Sequence, residues 1–308
     1  GGELNVNSQI RRSTASTQGS LIYSQSGAGI VTVGRTSASS ATRSVFEILN
    51  AGSSFSMTGG TLRVNRPTSS TSVADVYLHP TSFVVTGGTI EVGQGSTSQI
   101  IDIDTSIPLY NLAITGSSNG ARLDSNPLVL RGSLTIDATN YFNANGLNVS
   151  IAGNLTNLNT SSSTALNAGG YRPITSTQVT TFNGSSGNQT ISGAASNLTV
   201  FANLVINNSF SGGTIALQPN TALRVTSTFT LTRGILNDGG NTITALASVL
   251  NSSTHASSGS GAIVLAGTSS QTIGGNGSGK FGNLTLNNSS GAVFSANQEV
   301  TGVLTLTN

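Results

Sequence analysis

The sequence predicts an all-β protein, a right-handed parallel β-helix with about 28 residues in each coil. The first supporting observation is a repeat, because FSMTGGTLRV at Phe55–Val64 returns as FVVTGGTIEV at Phe83–Val92, one such interval later. The second is the alternation of apolar and polar residues inside each copy, which has the period of a β-strand. The third is the composition, in which 38 glycines accompany only 7% charged residues. Turn-forming residues between short alternating stretches indicate many short strands rather than helices.

The 28-residue repeat accounts for the N-terminal part of the chain, residues 1–105. Three stretches share its pattern: Tyr23–Arg35, Phe55–Arg66 and Phe83–Gln94. Consecutive coils of a parallel solenoid stack about 4.8 Å apart, so residues one repeat apart lie over one another. We therefore expect Phe55 to lie beside Phe83 in the core, and Arg63 to pair with Glu91 on the outer surface.

A longer module continues through residues 106–308. Asn-Leu pairs recur at Asn111, Asn203 and Asn283, at intervals of about 92 and about 80 residues. A third of each interval is close to one coil, which predicts three-coil modules of the same solenoid and a rod on the order of 50 Å long. The alternative is an array of antiparallel β-sandwiches. The 28-residue repeat argues against it, because it is too short to form a sandwich.

Charge, hydropathy and cysteine content exclude several classes of function. The net charge is only +2 and Lys280 is the single lysine, so no basic patch for nucleic acid is expected. No apolar run approaches the roughly 18–20 residues of a membrane helix, so we expect no membrane insertion. The absence of cysteine rules out disulfides and thiolate metal sites. The chain opens without methionine and stops in a strand-like pattern, so we interpret it as a segment of a longer polypeptide whose adjacent domains are its first partners.

Two short matches to catalytic motifs are interpreted as turns. Gly274–Phe281 contains G-x-x-x-x-G-K, but a phosphate-binding loop needs Ser or Thr next and a following helix. Gly116–Gly120 fits G-x-S-x-G, yet the residues after it have no helical pattern. The only histidines, His79 and His255, lie in segments predicted to be far apart.

The acidic residues are the strongest candidates for chemistry. Ser44–Gly52 aligns with Ser72–Pro80, which predicts two strands and makes Glu47 equivalent to Asp75. Asp102 and Asp104 fall about one coil further on. Carboxylates on neighbouring coils could ligate Ca²⁺ or serve a carbohydrate-active β-helix enzyme of the polysaccharide lyase kind. Asp102 and Asp104 alternate with isoleucines as solvent-facing residues do, so we predict no catalytic residues, no cofactor and no metal ligands.

Threonine raises one further alternative. Thr-x-Thr occurs at Thr228–Thr232 and Thr305–Thr307, and flat threonine arrays on solenoids can bind ice. Threonine also favours strands for its own sake, and the repeats do not keep Thr-x-Thr from coil to coil. Ligand or ice binding is therefore kept as a lesser interpretation.

The stretches Ser185–Ala245 and Gln271–Asn308 resemble the repetitive solenoid regions of very large cell-surface proteins of the Bacteroidetes. The resemblance covers roughly residues 100–308, whereas Gly19–Gln99 matches only as generic β-helix. Many proteins of this group are exported by the type IX secretion system, and some are gliding-motility or surface adhesins. The shared motif is structural and implies no catalytic residues.

Taken with this resemblance, the sequence predicts a non-enzymatic stalk or shaft of a secreted adhesin or filament. It implies an extracellular, cell-surface location and contacts with the cell surface or with polysaccharides. Sparse charge and abundant Ser, Thr and Asn suit a hydrated surface that needs no site chemistry.

Overall fold

The computed structural model describes residues 1–12, 19–36, 42–69, 72–93, 98–161, 169–195 and 198–307. In these ranges the protein is all-β, with about 12 turns of about 24 residues stacked as a parallel β-solenoid. The predicted fold class is confirmed. None of the described segments forms a helix long and apolar enough to cross a membrane.

The first turns hold five strands. They are β1 (Glu3–Val6), β2 (Ile22–Gln25), β3 (Ile30–Val33), β4 (Phe46–Val64) and β5 (Val76–Val92). The last two are long enough to pass around the corners of a turn, so each contributes to all three faces of the rod. Later turns give one short strand to each face.

We name the three faces by the order in which a turn visits them. The first face holds β6 (Ile100–Thr105), β8 (Gly120–Leu123), β11 (Tyr141–Asn143), β14 (Tyr171–Arg172), β17 (Thr199–Phe201), β20 (Leu223–Val225), β23 (Thr242–Ala245), β26 (Ala262–Leu265), β29 (Leu284–Leu286) and β32 (Leu304–Leu306). The second face holds β9 (Leu128–Leu130), β12 (Val149–Ile151), β15 (Val179–Phe182), β18 (Asn203–Asn207), β21 (Phe229–Arg233), β24 (Val249–Asn251), β27 (Gln271–Gly274) and β30 (Ala292–Phe294). The third face holds β7 (Asn111–Ile114), β10 (Leu134–Ile136), β13 (Leu155–Asn157), β16 (Gln189–Gly193), β19 (Thr214–Leu217), β22 (Ile235–Asn237), β25 (Thr254–Ala256), β28 (Gly279–Phe281) and β31 (Gln298–Val300).

The predicted stacking of the 28-residue repeat is confirmed between β4 and β5. Phe55 pairs with Phe83 and Arg63 pairs with Glu91 in a parallel register. The guanidinium of Arg63 donates to the Glu91 carboxylate at 3.1 Å. Because both members of the ion pair are partly exposed, it contributes about 0–1 kcal/mol.

The register differs from the prediction at the start of the same strands. Glu47 pairs with Tyr77, so it is not equivalent to Asp75. A β-bulge explains the change, because Asn50 pairs with Pro80 whereas Ser54 pairs with Ser82. Two extra residues at the corner of β4 therefore move every earlier partner by one period of the strand and keep the same residues facing inward.

Turns after β5 vary in length: most are shorter than the length predicted from the repeat, but the turn that pairs Leu155 with Ile191 is longer. On the first face, Leu223 pairs with Ile243 and Ile243 with Ile263, a shorter interval than that from Phe55 to Phe83. The interval between Asn-Leu copies spans eleven strands, from β7 to β18 and again from β18 to β29. Eleven strands make three and two-thirds turns rather than the three expected. The three copies consequently lie on three different faces.

One hydrophobic core runs through the rod from Val33 to Leu284. Aromatic rings stack along it where the turns are wide, as in Phe142, Tyr171 and Phe201, with ring centroids 5.7 and 5.3 Å apart. The contact between Tyr171 and Phe201 joins β14 to β17 on the first face. The side chains come from alternate residues of strands on all three faces, which explains why the apolar pattern has period two throughout.

The long module repeats one buried polar feature. Gln189 donates to the carbonyls of Ile151 and Gly153 and accepts from the backbone N–H of Gly184 and the side chain of Asn208. Gln271 makes the same four bonds, to Ala245, Ala247, Gly267 and Asn288. Each glutamine joins consecutive turns where the chain leaves one face for the next.

The rod has a step on its second face. The turn that follows β5 pairs with it only at Val76–Leu78 and Thr89–Val92. Ser82–Val85 therefore has no strand on its far side among the described residues, and Phe83 is 41% exposed rather than in the core as expected. Arg131 partly covers it, because its guanidinium lies 5.8 Å from the ring centroid and donates to the carbonyl of Val85.

Candidate functional site

Half of the acidic residues lie on the first face of four consecutive turns. The chain has ten Asp and Glu, and five are in this cluster: Glu47, Asp75, Asp102, Asp104 and Asp124. Apolar neighbours in the same strands, such as Ile103, point into the core, so the period of the strand turns the carboxylates outward. The parallel register places outward residues of successive turns in columns. One column consists of Glu47, Tyr77 and Asp104.

The columns border a cleft of about 450 Å³. Its charged lining consists of two guanidinium groups and three carboxylates: Arg12, Arg43, Glu47, Asp104 and Asp124. The rest of the lining comes from Tyr77, Leu49, Ser125 and the segments 42–44 and 72–74. In a chain with so little charge, this is the candidate site that the structure singles out.

Glu47 lies at one side of the cleft, where both arginines hold it. Arg43 makes a two-pronged contact with the carboxylate, and its Nε donates to Oε2 at 2.9 Å. Arg12 Nε lies 3.3 Å from Glu47 Oε1. All three side chains are largely buried, so each charge depends on its partners to offset the cost of leaving water. The role of the Glu47 carboxylate is therefore structural.

Asp102 lies in the neighbouring column and faces Arg122. The Arg122 Nε and Nη2 atoms donate to the two Asp102 oxygens at 2.7 and 2.6 Å. This hydrogen bonding is the main reason that the pKa of Arg122 is raised. Both side chains are partly exposed, so the pair contributes about 1 kcal/mol or less to stability.

Asp75 is covered and faces backbone donors. Its carboxylate accepts from the backbone N–H groups of Thr68 and Asp102. Burial raises the pKa of Asp75 to about 7, although the two backbone bonds act in the opposite direction. The side chain therefore fastens the segment around Thr68 to the first face and does not reach the cleft lining.

Asp104 is the predicted residue whose carboxylate is least occupied by protein hydrogen bonds. It is 5% exposed, and its Oδ1 accepts from Asn126 at 2.6 Å and lies 3.2 Å from His79 Nε2. Its Oδ2 makes no hydrogen bond with any described residue. Asp124, directly after β8, is exposed and accepts only from Ser125 within the described part of the chain.

Tyr77 supplies an aromatic wall. Its ring stacks on His79 with centroids 4.3 Å apart and planes 22° apart. Burial, and secondarily the negative charge of Asp104, raises the pKa of the Tyr77 hydroxyl, so it stays protonated. Tyr77 lines the cleft, and His79 supports its ring from the same strand.

The predicted acidic residues are thus near one another but do not converge on one point. Asp75 binds backbone, Asp102 binds Arg122 and Glu47 binds two arginines. Across the described residues, no group of three His, Cys, Asp or Glu side chains has the geometry to hold a metal ion. The four predicted carboxylates therefore do not form a shared Ca²⁺ site. The carboxylate oxygens of this cluster without a described hydrogen-bond partner belong to Asp104 and Asp124.

The other sequence motifs lie in ordinary strands and turns. Gly279–Phe281 is strand β28, and Lys280 Nζ lies 2.9 Å from Glu299 on the next turn. Ser118 has a φ of 57° in the turn between β7 and β8, and its backbone N–H donates to Thr139. His79 and His255 are seven turns apart, about 34 Å along the rod.

The outward column of the first face bears on the threonine alternative. Thr305 stacks on Thr285, but the same column continues through Val264 and Thr244 to Arg224. This column, interrupted by an arginine and a valine, is not a flat threonine array.

Sequence analysis missed several members of the cleft, namely Arg12, Arg43, Tyr77 and Asp124. Alternation with core residues marked Tyr77 as outward, but the bulge in β4 hid its place beside Glu47. It also missed a buried pair on the third face. His255 is fully buried, and its Nε2 lies 3.1 Å from Asp238 Oδ2. His255 occupies a core position stacked on Leu236.

Comparison with known proteins leaves the chain without a named relative. No protein-family model, no curated protein and no solved structure matches it. The fold and the cleft are therefore the basis for any statement about what it does.

Proposed function

We propose that the chain is a shaft segment of a secreted cell-surface adhesin or filament, with a mechanical and non-catalytic role. The observation that carries the proposal is the continuous core from Val33 to Leu284 together with the parallel stacking of about 12 turns. Twelve turns at about 4.8 Å each make a rod about 58 Å long. A rod of this kind holds whatever is joined to its two ends at a fixed separation.

The distribution of charge supports the same function. Most ion pairs join residues of neighbouring turns, as in Arg63 with Glu91 and Lys280 with Glu299. They add to the backbone ladder in the direction of the rod axis. The type IX export route and the Bacteroidetes origin belong to this proposal through the sequence resemblance alone.

Rigidity is the property to test first. The native chain has no cysteine, so cysteines introduced at exposed Ser24 and Thr305 allow clean double spin labelling. Pulsed electron spin resonance should give one narrow distance near the rod length of about 58 Å. A broad distribution would contradict a stiff spacer.

The mechanical role itself requires force. Pulling the chain by its ends should release it in steps of one turn, about 24 residues or about 80 Å of extended chain. A featureless extension at low force would overturn the shaft. Release of reducing ends from neutral or acidic polysaccharides by the purified chain would favour the enzyme alternative instead.

A further inference from the structure

We propose that the cleft lined by Tyr77, Asp104, Asp124 and Arg43 is a binding site for a neutral saccharide. This inference goes beyond the shaft function, because a rod can hold its ends apart without binding sugar. The cleft volume of about 450 Å³ lies within the range of about 300–1,000 Å³ that is typical of small-ligand sites.

The aromatic wall is the first element of recognition. Tyr77 lines the cleft, and His79 stacks on one face of its ring. The π-face of an aromatic ring carries partial negative charge. The C–H groups on one face of a pyranose ring carry partial positive charge and lie nearly in a plane, so the two surfaces attract and fit.

The hydrogen-bonding groups are the second element. Asp104 Oδ2 and the second oxygen of Asp124 are acceptors that no described residue occupies. Bonds from hydroxyl groups to a carboxylate are short and strong. Arg43 is about nine-tenths buried, and its Nη1 has no hydrogen bond with a described residue, which leaves a donor in the cleft. A sugar hydroxyl both donates and accepts, so one ring satisfies both sides.

Charge selects among sugars. Three carboxylates and two guanidinium groups line the cleft, and both guanidinium groups already bind Glu47. Among the described residues, the carboxylates of Asp104 and Asp124 have no guanidinium partner. A uronic acid or sulfated sugar would bring a third negative charge to them. The site therefore favours neutral saccharides over acidic ones.

The test uses the full chain and isothermal titration calorimetry. The probes are neutral hexasaccharides built from glucose, galactose or mannose, with oligogalacturonate as the acidic probe and glucosamine oligomers as the cationic probe. We expect saturable binding of at least one neutral probe and weaker binding of oligogalacturonate. Asp124→Asn should lower the affinity about tenfold, and Asp137→Asn, on the third face, should leave it unchanged.

Tyr77 gives a second, independent variant. Tyr77→Phe should keep most of the affinity because the ring remains, whereas Tyr77→Ala should lower it at least tenfold. Tyr110→Ala outside the cleft is the matched control, and circular dichroism checks that each variant keeps its strands. The proposal is overturned if no neutral probe binds, if oligogalacturonate or the glucosamine oligomer binds more tightly, or if Asp124→Asn and Tyr77→Ala leave neutral binding unchanged.

Discussion

At the scale of single residues, equivalence in the repeat does not mean equal burial. Phe55 and Phe83 occupy the same position one turn apart. Phe55 pairs with Phe83 and is 1% exposed, whereas Phe83 has no further strand over it in the described part of the chain and is 41% exposed. The difference arises from the neighbouring turn rather than from either residue.

This difference gives the first prediction. Phe55→Ala should lower the free energy of unfolding of the first turns by about 3–5 kcal/mol, because it leaves a cavity in the core. Phe83→Ala should lower it by less than about 1.5 kcal/mol, because much of its surface is already in water. Hydrogen exchange of the amides in β4 and β5 measures both. Equal losses would show that Phe83 is covered in solution.

A second prediction concerns His255. Burial lowers its pKa, with the carboxylate of Asp238 acting in the opposite direction. The unfolded chain therefore takes up a proton near pH 6.5 while the folded chain resists it, so stability falls as the pH drops below about 6.5. His255→Phe should flatten this decline. The measurement is hydrogen exchange of β22 and β25 between pH 8 and 5, and an unchanged slope would contradict the assignment.

Asp75 should show the opposite dependence. Its pKa is about 7 in the folded chain and 3.8 in the unfolded reference, because burial disfavours the charged form. Between these values the folded state binds a proton that the unfolded state does not, so the stability of the first turns should fall as the pH rises to about 7 and level off above it. Asp75→Asn should remove this fall. A thermal unfolding series from pH 5 to 8, with Asp137→Asn as control, distinguishes the two outcomes.

At the scale of elements, the shared feature of the long module is a polar one. Gln189 and Gln271 each make four hydrogen bonds in the same arrangement. Both stand before a Thr-Ile pair in the sequence, so the repeat marked them without indicating why. A buried amide that satisfies two carbonyls, one N–H and one side chain fixes how one turn follows another.

Removing this amide should therefore destabilise the turns that it joins. Gln189→Leu keeps the size of the side chain but leaves several buried groups unpaired, each worth about 1–3 kcal/mol. We expect the turns around β13 and β16 to lose more than about 2 kcal/mol in chemical denaturation. Thr190→Ala, one residue along and partly exposed, should cost less than about 1 kcal/mol. If both cost the same, the glutamine contributes only packing.

At the scale of the whole molecule, the turn is the unit of the rod. Leu223, Ile243 and Ile263 stack at equal intervals, so two turns separate residue 223 from residue 263. In a quasi-one-dimensional fold each turn contacts only its neighbours. Whole turns should then be removable, and fractions of a turn should not.

Deletion tests this property. Removing residues 223–262 takes out two complete turns, and also both members of the Asp238–His255 pair. The chain should stay folded and shorten by about 10 Å in small-angle scattering. Removing residues 223–252 instead takes out one and a half turns and puts Ser253 and His255 at the core positions of Leu223 and Val225, so it should unfold the C-terminal part. Equal tolerance of both deletions would argue against a fixed three-faced turn.

The sequence by itself determined the strands, the parallel stacking, and contacts such as Phe55 with Phe83 and Arg63 with Glu91. Alternation and repeat spacing are local properties, and a period-two pattern at a fixed interval admits few other structures. Only the tertiary structure decided that Glu47 faces Tyr77, that Phe83 is left at a step, and that the Asn-Leu copies fall on three faces. The physical reason is that turn lengths and bulges depend on how each coil closes over the one before. Corners rich in glycine and serine allow many lengths, so their sequence does not fix which side chains meet across turns.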